Sequence, residues 1–148
     1  MIPAAPFRLA LLALLPCLVL VAPAHAIDLC KGGKRAERKA TCVVDGDTIW
    51  QQGVKMRLLD IDAPEMSGEC QAEKLKAREA TARLVGLMSK GYRINDSGKK
   101  DRTSDRRSLI RIRLPDGRDA GKVLVREGLA QRWPNVGNIW CSASHMVQ

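Results

Sequence analysis

"VVDGDTIW" (Val43–Trp50) and "RLLDIDAPE" (Arg57–Glu65) are the two stretches that decide how this chain folds. The residues from Thr41 to Trp50 alternate loosely and are rich in β-branched side chains, which predicts a strand. Gln51–Gly53 predicts a turn, and Val54–Ile61 predicts a second strand that completes a hairpin. The proline in "DAPE" ends this second strand, because proline has no N–H to give to a neighbouring strand.

The two stretches gather five carboxylates within 21 residues, namely Asp45, Asp47, Asp60, Asp62 and Glu65. Only Lys55 and Arg57 balance them locally, although the 148-residue chain has a formal net charge of +9. Asp47 and Asp62 lie near the outer ends of the two strands, where the hairpin brings them together. Adjacent carboxylates are costly without a cation or a proton between them, and oxygen ligands without nearby histidine or cysteine favour calcium or magnesium. The competing interpretation is a pair of solvated strand-end acids, which is also our interpretation of Asp60.

Arg57 is a charged residue in an otherwise apolar strand segment, next to Met56, Leu58 and Leu59. An arginine on a half-buried face needs an anionic partner, because an unpaired buried cation is expensive. The partner is either a structural carboxylate or a bound phosphate, which the guanidinium fork fits in bidentate fashion.

Histidine is nearly absent from the chain, and this limits the chemistry that it can perform. After residue 26 the sequence has a single histidine, His145, close to its end. No Ser-His or Cys-His pair can therefore be built, and hydrolysis would need a carboxylate base together with a metal. Glu65, on the loop directly after Pro64, is the best candidate for that base.

Residues 1–26 have the three-part layout of a secretory signal. An early cation, Arg8, precedes an apolar run from Leu9 to Val21, and Ala24-His25-Ala26 closes the segment. The apolar run is shorter than the ~20 residues that a membrane-spanning helix needs. We therefore expect cleavage after Ala26, export to the periplasm or the medium, and no stable membrane insertion of the mature chain.

Four cysteines remain after this cleavage: Cys30, Cys42, Cys70 and Cys141. An even number suits disulfides in an oxidising compartment, and three pairings are possible. Structural zinc is the competing explanation, disfavoured because the chain has no C-x-x-C motif. The loss of Arg8 leaves 24 basic and 16 acidic residues, a formal charge of +8. Such a charge favours polyanionic partners, namely nucleic acid, anionic lipid or acidic glycans.

The rest of the chain predicts one long helix, two strands and a short helix, at residues 71–90, 92–95, 108–114 and 122–127. Between the two strands, "DSGKKDRTSDRR" (96–107) has no apolar face and predicts a loop. This β-rich pattern with one dominant helix is typical of a small α+β Greek-key barrel with a helix packed on it. We expect a basic N-terminal arm at 27–40, one domain at 41–141, a tail at 142–148 and a monomeric protein.

Three segments of this sequence resemble the signature segments of the staphylococcal nuclease (thermonuclease) family. They are "VVDGDTIW", "MRLLDIDAPE" and "RRSLIRIRLPDGRDAGKVLVREGLAQRW", in the family's order and spacing over residues 40–133. The resemblance implies a five-stranded OB-type barrel with one long and one short helix. It also implies calcium-dependent cleavage of DNA and RNA, with single strands favoured and products that end in 3′-phosphate.

The resemblance implies a role for each matching position. Asp47, Asp62 and the backbone carbonyl of Ala63 resemble the calcium ligands. Glu65 resembles the general base, or the residue that orients the attacking water. Arg57 and Arg107 resemble the phosphate-binding arginines. Asp45 resembles an acid just outside the metal ligands, and Thr48 resembles the neighbouring hydroxyl residue.

The sequence also departs from the family pattern. The family has a tyrosine-glycine pair before the second arginine, where this chain has Asp105-Arg106. Arg102 and Arg106 lie close enough to Arg107 to replace it, and Trp133 and Trp140 either stack on a base or pack against the protein. The chain ends where the family's type member has a further helix. We therefore expect a disulfide to tie the tail down, pairing Cys70 with Cys141 and leaving Cys30 to pair with Cys42.

Two other classes of function compete with the nuclease hypothesis. A domain of this fold can bind nucleic acid without cleaving it, and a charge of +8 attracts phosphate backbones in either case. An exported domain that recognises anionic surface polymers is the more distant alternative.

Overall fold

The computed structural model describes residues 27–31, 40–102 and 106–141. The expected signal segment, most of the basic arm, Asp105 and the tail with His145 lie outside these residues. The described elements, in chain order, are β1 (Asp28–Leu29), β2 (Cys42–Val43), β3 (Thr48–Gln51), β4 (Val54–Leu58), β5 (Ile61–Asp62), α1 (Gln71–Met88), β6 (Arg93–Lys100), β7 (Ser108–Arg113), α2 (Ala120–Arg126) and β8 (Gln131–Arg132).

The fold is a mostly-sheet α+β arrangement with two helices, as the sequence predicted. Six strands form one sheet in the order β1-β2-β3-β4-β7-β6, and β5 pairs with β8 in a second, two-stranded sheet. This arrangement is consistent with the expected OB-like fold, with short additional strands beyond the five predicted. The apolar side of α1 supplies Ala77, Ala80, Leu84, Leu87 and Met88 to the buried interior.

The first predicted strand is divided in two by a tight turn at Asp45-Gly46. The backbone N–H groups of Val44 and Asp45 both point to the carbonyl of Thr48, at N–O distances of 2.9 and 3.4 Å. A Cβ atom on Gly46 would lie 2.7 Å from Cβ of Ala63, so glycine is needed for this close approach. The turn therefore brings the "DGDT" segment against the "DAPE" segment.

The second predicted strand is also divided, at Asp60. This residue has a φ of 65°, a left-handed conformation that a non-glycine residue rarely adopts. Before it, β4 pairs in parallel with β7; after it, β5 pairs with β8. The alternating pattern indicated a continuous strand, because the sequence does not reveal the change of partner.

The charged segment after Asn95 was predicted to be a loop, and this prediction was wrong for its first part. Strand β6 continues to Lys100 and pairs with β7, with an irregularity between Asp96 and Lys100. At the edge of the sheet its side chains are mostly exposed, so the strand needs no apolar face. Backbone hydrogen bonds to β7 hold it in place.

Both helices follow the prediction closely at one end and differ at the other. The long helix ends at Met88, and Gly91 follows with a φ of 99° and an N–H that donates to the Met88 carbonyl. The short helix begins at Ala120, two residues earlier than predicted, because the Asp119 side chain accepts from the N–H of Lys122 and caps it. Among the described residues, neither helix combines the length and the apolar character that crossing a membrane requires.

Two disulfides are present, Cys30–Cys42 and Cys70–Cys141, in the expected pairing. They close loops of different size, with sequence separations of 12 and 71 residues. The Cys70–Cys141 disulfide, which closes the longer loop, joins the start of α1 to the end of the described chain.

Removing the longer disulfide should destabilise the protein more than removing the shorter one. Closure of the longer loop removes more entropy from the unfolded chain. The resulting stabilisation is about 4 kcal/mol for the longer loop and about 3 kcal/mol for the shorter loop. Urea unfolding of the Cys70→Ala/Cys141→Ala and Cys30→Ala/Cys42→Ala proteins measures both losses. An unchanged free energy of unfolding in the first variant would contradict the prediction.

Candidate functional site

Asp47 lies at the bottom of the candidate site and is only 2% exposed. Its Oδ1 accepts from the hydroxyl of Thr48 (2.9 Å), and its Oδ2 accepts from the N–H of Ala63 (3.0 Å). Asp45 lies behind it and accepts from the N–H of Asp47 (3.0 Å). The turn at Gly46 therefore fixes Asp47 between the two signature stretches.

Arg57 bridges the two predicted metal-binding carboxylates. Its Nη2 lies 2.9 Å from Asp47 Oδ2 and 2.8 Å from Asp62 Oδ1, and its side chain is 17% exposed. The half-buried arginine thus has carboxylate partners, one of the two alternatives left open by the sequence. The two acids are not independent solvated groups, because both carboxylates contact one cation.

Two side chains from the C-terminal part of the chain hold Asp62. Gln131 and Asn135 donate from their amide nitrogens to Asp62 Oδ2, at 3.1 and 2.6 Å. Gln131 faces Asp62 because β8 pairs with β5 in that register. Sequence reasoning missed both residues, and no local signal marks them.

Glu65 follows the buried Pro64 on an exposed loop, and its backbone is anchored by a second glutamate. Glu73, in the first turn of α1, is 4% exposed and accepts from the N–H groups of Glu65 (3.2 Å) and Glu69 (2.8 Å). It also accepts from the amide of Asn138 (2.8 Å). A Cβ atom on Gly68 would lie 2.4 Å from the Glu73 carboxyl carbon, so glycine leaves room for it.

The pKa of Glu73 reflects these contacts. Burial raises it, but the hydrogen bonds from Asn138, Glu65 and Glu69 outweigh burial and lower the pKa below its usual value. Sequence reasoning missed Glu73. Its signal was an acid three residues after Cys70, the residue that caps α1, which is the spacing of a helix capping box.

Arg107 is positioned by an ion pair that the sequence did not reveal. Its Nε lies 2.6 Å from Asp101 Oδ2, and both side chains are largely buried. Its Nη1 donates to the Thr48 hydroxyl (3.3 Å), so Thr48 connects Arg107 to Asp47. Arg106, by contrast, is exposed.

The site has more negative than positive charge. Asp45, Asp47, Asp62 and Glu65 face the single guanidinium of Arg57, which leaves a formal charge of −3 for this group. Burial and then the charge of Asp45 raise the pKa of Asp47 from 3.8 to about 6. Burial and then Asp47 likewise raise the pKa of Glu65. A buried oxygen-rich group with excess negative charge fits a hard cation such as Ca²⁺.

In buffer free of divalent ions, Asp47 should make the protein less stable as pH rises from about 4 to about 6. Its folded-state pKa of about 6 exceeds the ordinary value of 3.8, so the folded state holds the proton more tightly in this window. The stabilisation is complete at low pH and is lost as pH rises. Denaturant unfolding of the wild-type protein and Asp47→Asn from pH 4 to 7 measures the effect, and parallel profiles would contradict it.

Asp60, the remaining acid of the two signature stretches, lies outside this acidic group. Asp60 is an exposed acid just after the end of β4, as expected, and it also pairs with Arg111, which the sequence did not predict. Arg111 reaches it from β7, a contact between residues 51 positions apart in the sequence.

Cys70, Glu73 and Cys141 bring possible metal-ligating atoms within 4.8 Å of one another. The two sulfurs are bonded together, however, and a disulfide offers no thiolate to a metal.

A cavity of about 710 Å³ forms a cleft beside the acidic cluster. Its charged lining is Arg57, Asp60, Asp62, Lys100, Asp101, Arg102 and Arg107. Leu109, Pro134 and Trp133 contribute apolar surface, and Trp133 is 57% exposed. Trp140, beside Cys141, does not line this cleft. The cleft therefore joins Asp62, the two predicted phosphate-binding arginines and an aromatic face, while Asp47 and Glu65 do not line it.

Comparison with protein families shows what this chain resembles. A family model described as Staphylococcal nuclease homologue matches residues 55–141, which is 87 of the 148 residues. The matched region contains Arg57, Asp62, Glu65 and Arg107, and it begins after the "DGDT" turn that holds Asp47. No curated protein matches the chain.

Proposed function

Because this chain belongs to the staphylococcal nuclease homologue family, we propose that it is a calcium-dependent nuclease that hydrolyses DNA and RNA. The observation that carries the proposal is the position of Arg57 between Asp47 and Asp62. This arrangement adjoins the cleft of about 710 Å³, with its further cations and exposed tryptophan, and under this proposal we call it the catalytic cleft. Two disulfides are typical of an oxidising compartment, so we assign the protein to the periplasm or the medium. We further propose that the mature protein is a monomer.

Asp47, Asp62 and the backbone carbonyl of Ala63 are the proposed calcium ligands. When bound, calcium supplies Lewis-acid polarisation of the phosphoryl oxygen and a template for the attacking water. The donor set fits, because oxygen atoms converge there with a surplus of negative charge and Asp47 has a raised pKa. Asp45 holds the backbone of Asp47 from behind, and Thr48 holds one of its carboxylate oxygens.

Arg57 and Arg107 are the proposed phosphate-binding groups. In the absence of substrate both are paired, Arg57 with two carboxylates and Arg107 with Asp101. With a cation held by Asp47 and Asp62, the guanidinium of Arg57 would be free to face a phosphate. Each fork then stabilises negative charge on the phosphoryl oxygens as it grows during the reaction.

Glu65 is the proposed general base. It takes a proton from water as the new oxygen–phosphorus bond forms and the bond from phosphorus to the 5′ oxygen breaks. The departing oxygen is protonated from solvent, and the phosphate stays on the 3′ side. The raised pKa of Glu65 makes it a stronger base than an ordinary glutamate.

Trp133 favours single-stranded substrates. Its exposed ring lines the cleft beside Leu109 and Pro134, where an unpaired base can stack. Bases in a duplex are already stacked on one another and are less free to use this surface. The loop with Asp105-Arg106 replaces the tyrosine-glycine pair, so the tryptophan becomes the proposed aromatic contact.

The test is cleavage of single-stranded DNA and RNA by the oxidised protein, with excess calcium and then with chelator. We expect cleavage with calcium only, and products with 3′-phosphate ends. Cleavage that persists in chelator contradicts calcium dependence, and 3′-hydroxyl ends contradict the proposed direction of bond breaking.

The second candidate function is nucleic-acid binding without cleavage. It is favoured by the ion pair between Arg107 and Asp101, which neutralises one proposed phosphate-binding group. Under this alternative, no cleavage occurs with calcium. The same strands still bind, with an affinity that falls as any salt rises.

Glu73→Gln should lower kcat and leave KM nearly unchanged. In the wild-type protein, the two carboxylate oxygens of Glu73 accept from the N–H groups of Glu65 and Glu69. Glutamine has only one such oxygen, and its NH₂ group cannot accept a hydrogen bond, so the backbone of Glu65 loses its anchor. A misplaced base changes the chemical step and not substrate binding, and a loss of about tenfold or more is expected. Steady-state kinetics with Glu79→Gln, an exposed position on α1, as the control measures this. Equal losses in both variants, or a change confined to KM, would contradict a positioning role.

A further inference from the structure

A second cavity of about 720 Å³ lies beside the catalytic cleft, and its lining is strongly basic. Arg111, Lys122, Arg126 and Arg132 line it together with Val125 and the segment Leu59–Ile61. We call it the cationic groove. None of its residues belongs to the proposed calcium site or to the two proposed phosphate-binding arginines.

Three of the four cations make no ion pair within the described part of the chain, although Arg126 lies close enough to Glu127 to lower its pKa. Arg111 is paired with Asp60 and Asp119, but Lys122, Arg126 and Arg132 are exposed and make no ion pair there. Some exposed arginines of the protein are paired, such as Arg118 with Asp116, whereas Arg93 and Arg113 are exposed and make no ion pair among the described residues. The groove therefore keeps a surplus of positive charge that is available to a ligand.

The spacing of the cations on α2 carries a small energetic cost. Lys122 and Arg126 are four residues apart and lie on the exposed side of the helix, whose other side is buried through Val123 and Leu124. Like charges at this spacing destabilise a helix by a few tenths of a kcal/mol. Arg132, on β8, adds a third positive charge to the same groove, and an anion in the groove would offset this repulsion.

The cationic groove adjoins the catalytic cleft. Both cavities are lined by Leu59, Asp60 and Ile61, which form the boundary between them. On β8 and just after it, consecutive residues face the two cavities, Arg132 the groove and Trp133 the cleft. A strand whose base stacks on Trp133 is therefore directly beside the three free cations.

We propose that the cationic groove binds a backbone phosphate of the polynucleotide strand that occupies the catalytic cleft, at a position away from the cleaved bond. The proposal rests on the proposed nuclease function for the identity of the strand. It gives the protein a preference for long strands, because the single backbone phosphate of a dinucleotide is at the cleaved bond and none is left for the groove.

The test compares two double variants that each remove two positive charges. Arg126→Ala/Arg132→Ala changes the groove, and Arg93→Ala/Arg113→Ala changes a neighbouring pair of exposed arginines on β6 and β7. Binding of a single strand of about 16 nucleotides, the upper range for an OB-fold, is measured against salt concentration. Cleavage of a dinucleotide with calcium is measured separately.

For the groove variant, we expect the magnitude of the slope of log K against log salt to fall by about 0.7, the value for one lost phosphate contact on a single strand. The control variant should keep the wild-type slope, and both variants should cleave the dinucleotide at the wild-type rate. Equal changes of slope in the two variants, or a slower dinucleotide reaction in the groove variant, overturn the proposal. If the wild-type protein cleaves nothing, the nuclease function fails, while the binding comparison still decides whether the groove holds a phosphate.

Discussion

Glu65→Gln should lower kcat by about 10²–10⁴-fold while single-strand binding stays within a few-fold of wild type. Glutamine has nearly the shape of glutamate but cannot accept a proton at neutral pH. The backbone anchor of this residue is the N–H donated to Glu73, and the substitution leaves it in place. The lost function is therefore the removal of a proton from water.

The measurement is single-turnover cleavage of single-stranded DNA with excess calcium, beside equilibrium binding of the same strand. Glu79→Gln removes the same charge from an exposed position on α1 and serves as the control. A rate for Glu65→Gln within a few-fold of wild type would show that another group is the base. A loss of folding would appear in the binding curve and in the circular dichroism spectrum.

Arg57→Ala should lower kcat/KM by about 10²–10³-fold, the loss expected for a donor that stabilises charge in the transition state. It should also change the response of stability to calcium. Without Arg57, Asp47 and Asp62 lose the cation that they share, so the calcium-free protein is destabilised. Calcium replaces that charge, and the rise in Tm on adding calcium should exceed the rise in the wild-type protein.

Arg57→Lys separates the two roles of this arginine. A lysine keeps a positive charge near the carboxylates but has no bidentate fork, so stability should largely recover while kcat/KM stays low. Thermal unfolding with and without calcium, beside cleavage rates, measures both properties. Arg118→Ala, at an exposed surface pair, is the control. A calcium-induced rise in Tm no larger than that of wild type in Arg57→Ala would contradict the shared-cation arrangement.

Local sequence determined the elements that the site is built on. The apolar side of α1 and the proline of "DAPE" act over a few residues, and the structure has both features where the sequence placed them. The turn at Gly46, by contrast, divides a segment that the sequence predicted as one strand. The same two stretches supply Asp47, Arg57 and Asp62. These residues lie within 16 positions of one another, so a single hairpin region was enough to predict their proximity.

Only the tertiary structure decided which side chains support and surround that site. Asn135 contacts Asp62 across 73 residues, and Asn138 contacts Glu73 across 65 residues. Asp60 interrupts the second strand through its backbone conformation, and Arg111 reaches it from another strand. The free cations of α2 and β8 face one groove because β8 pairs with β5. Such contacts depend on how distant segments pack, and hydrophobic periodicity and short motifs record only what each segment does locally.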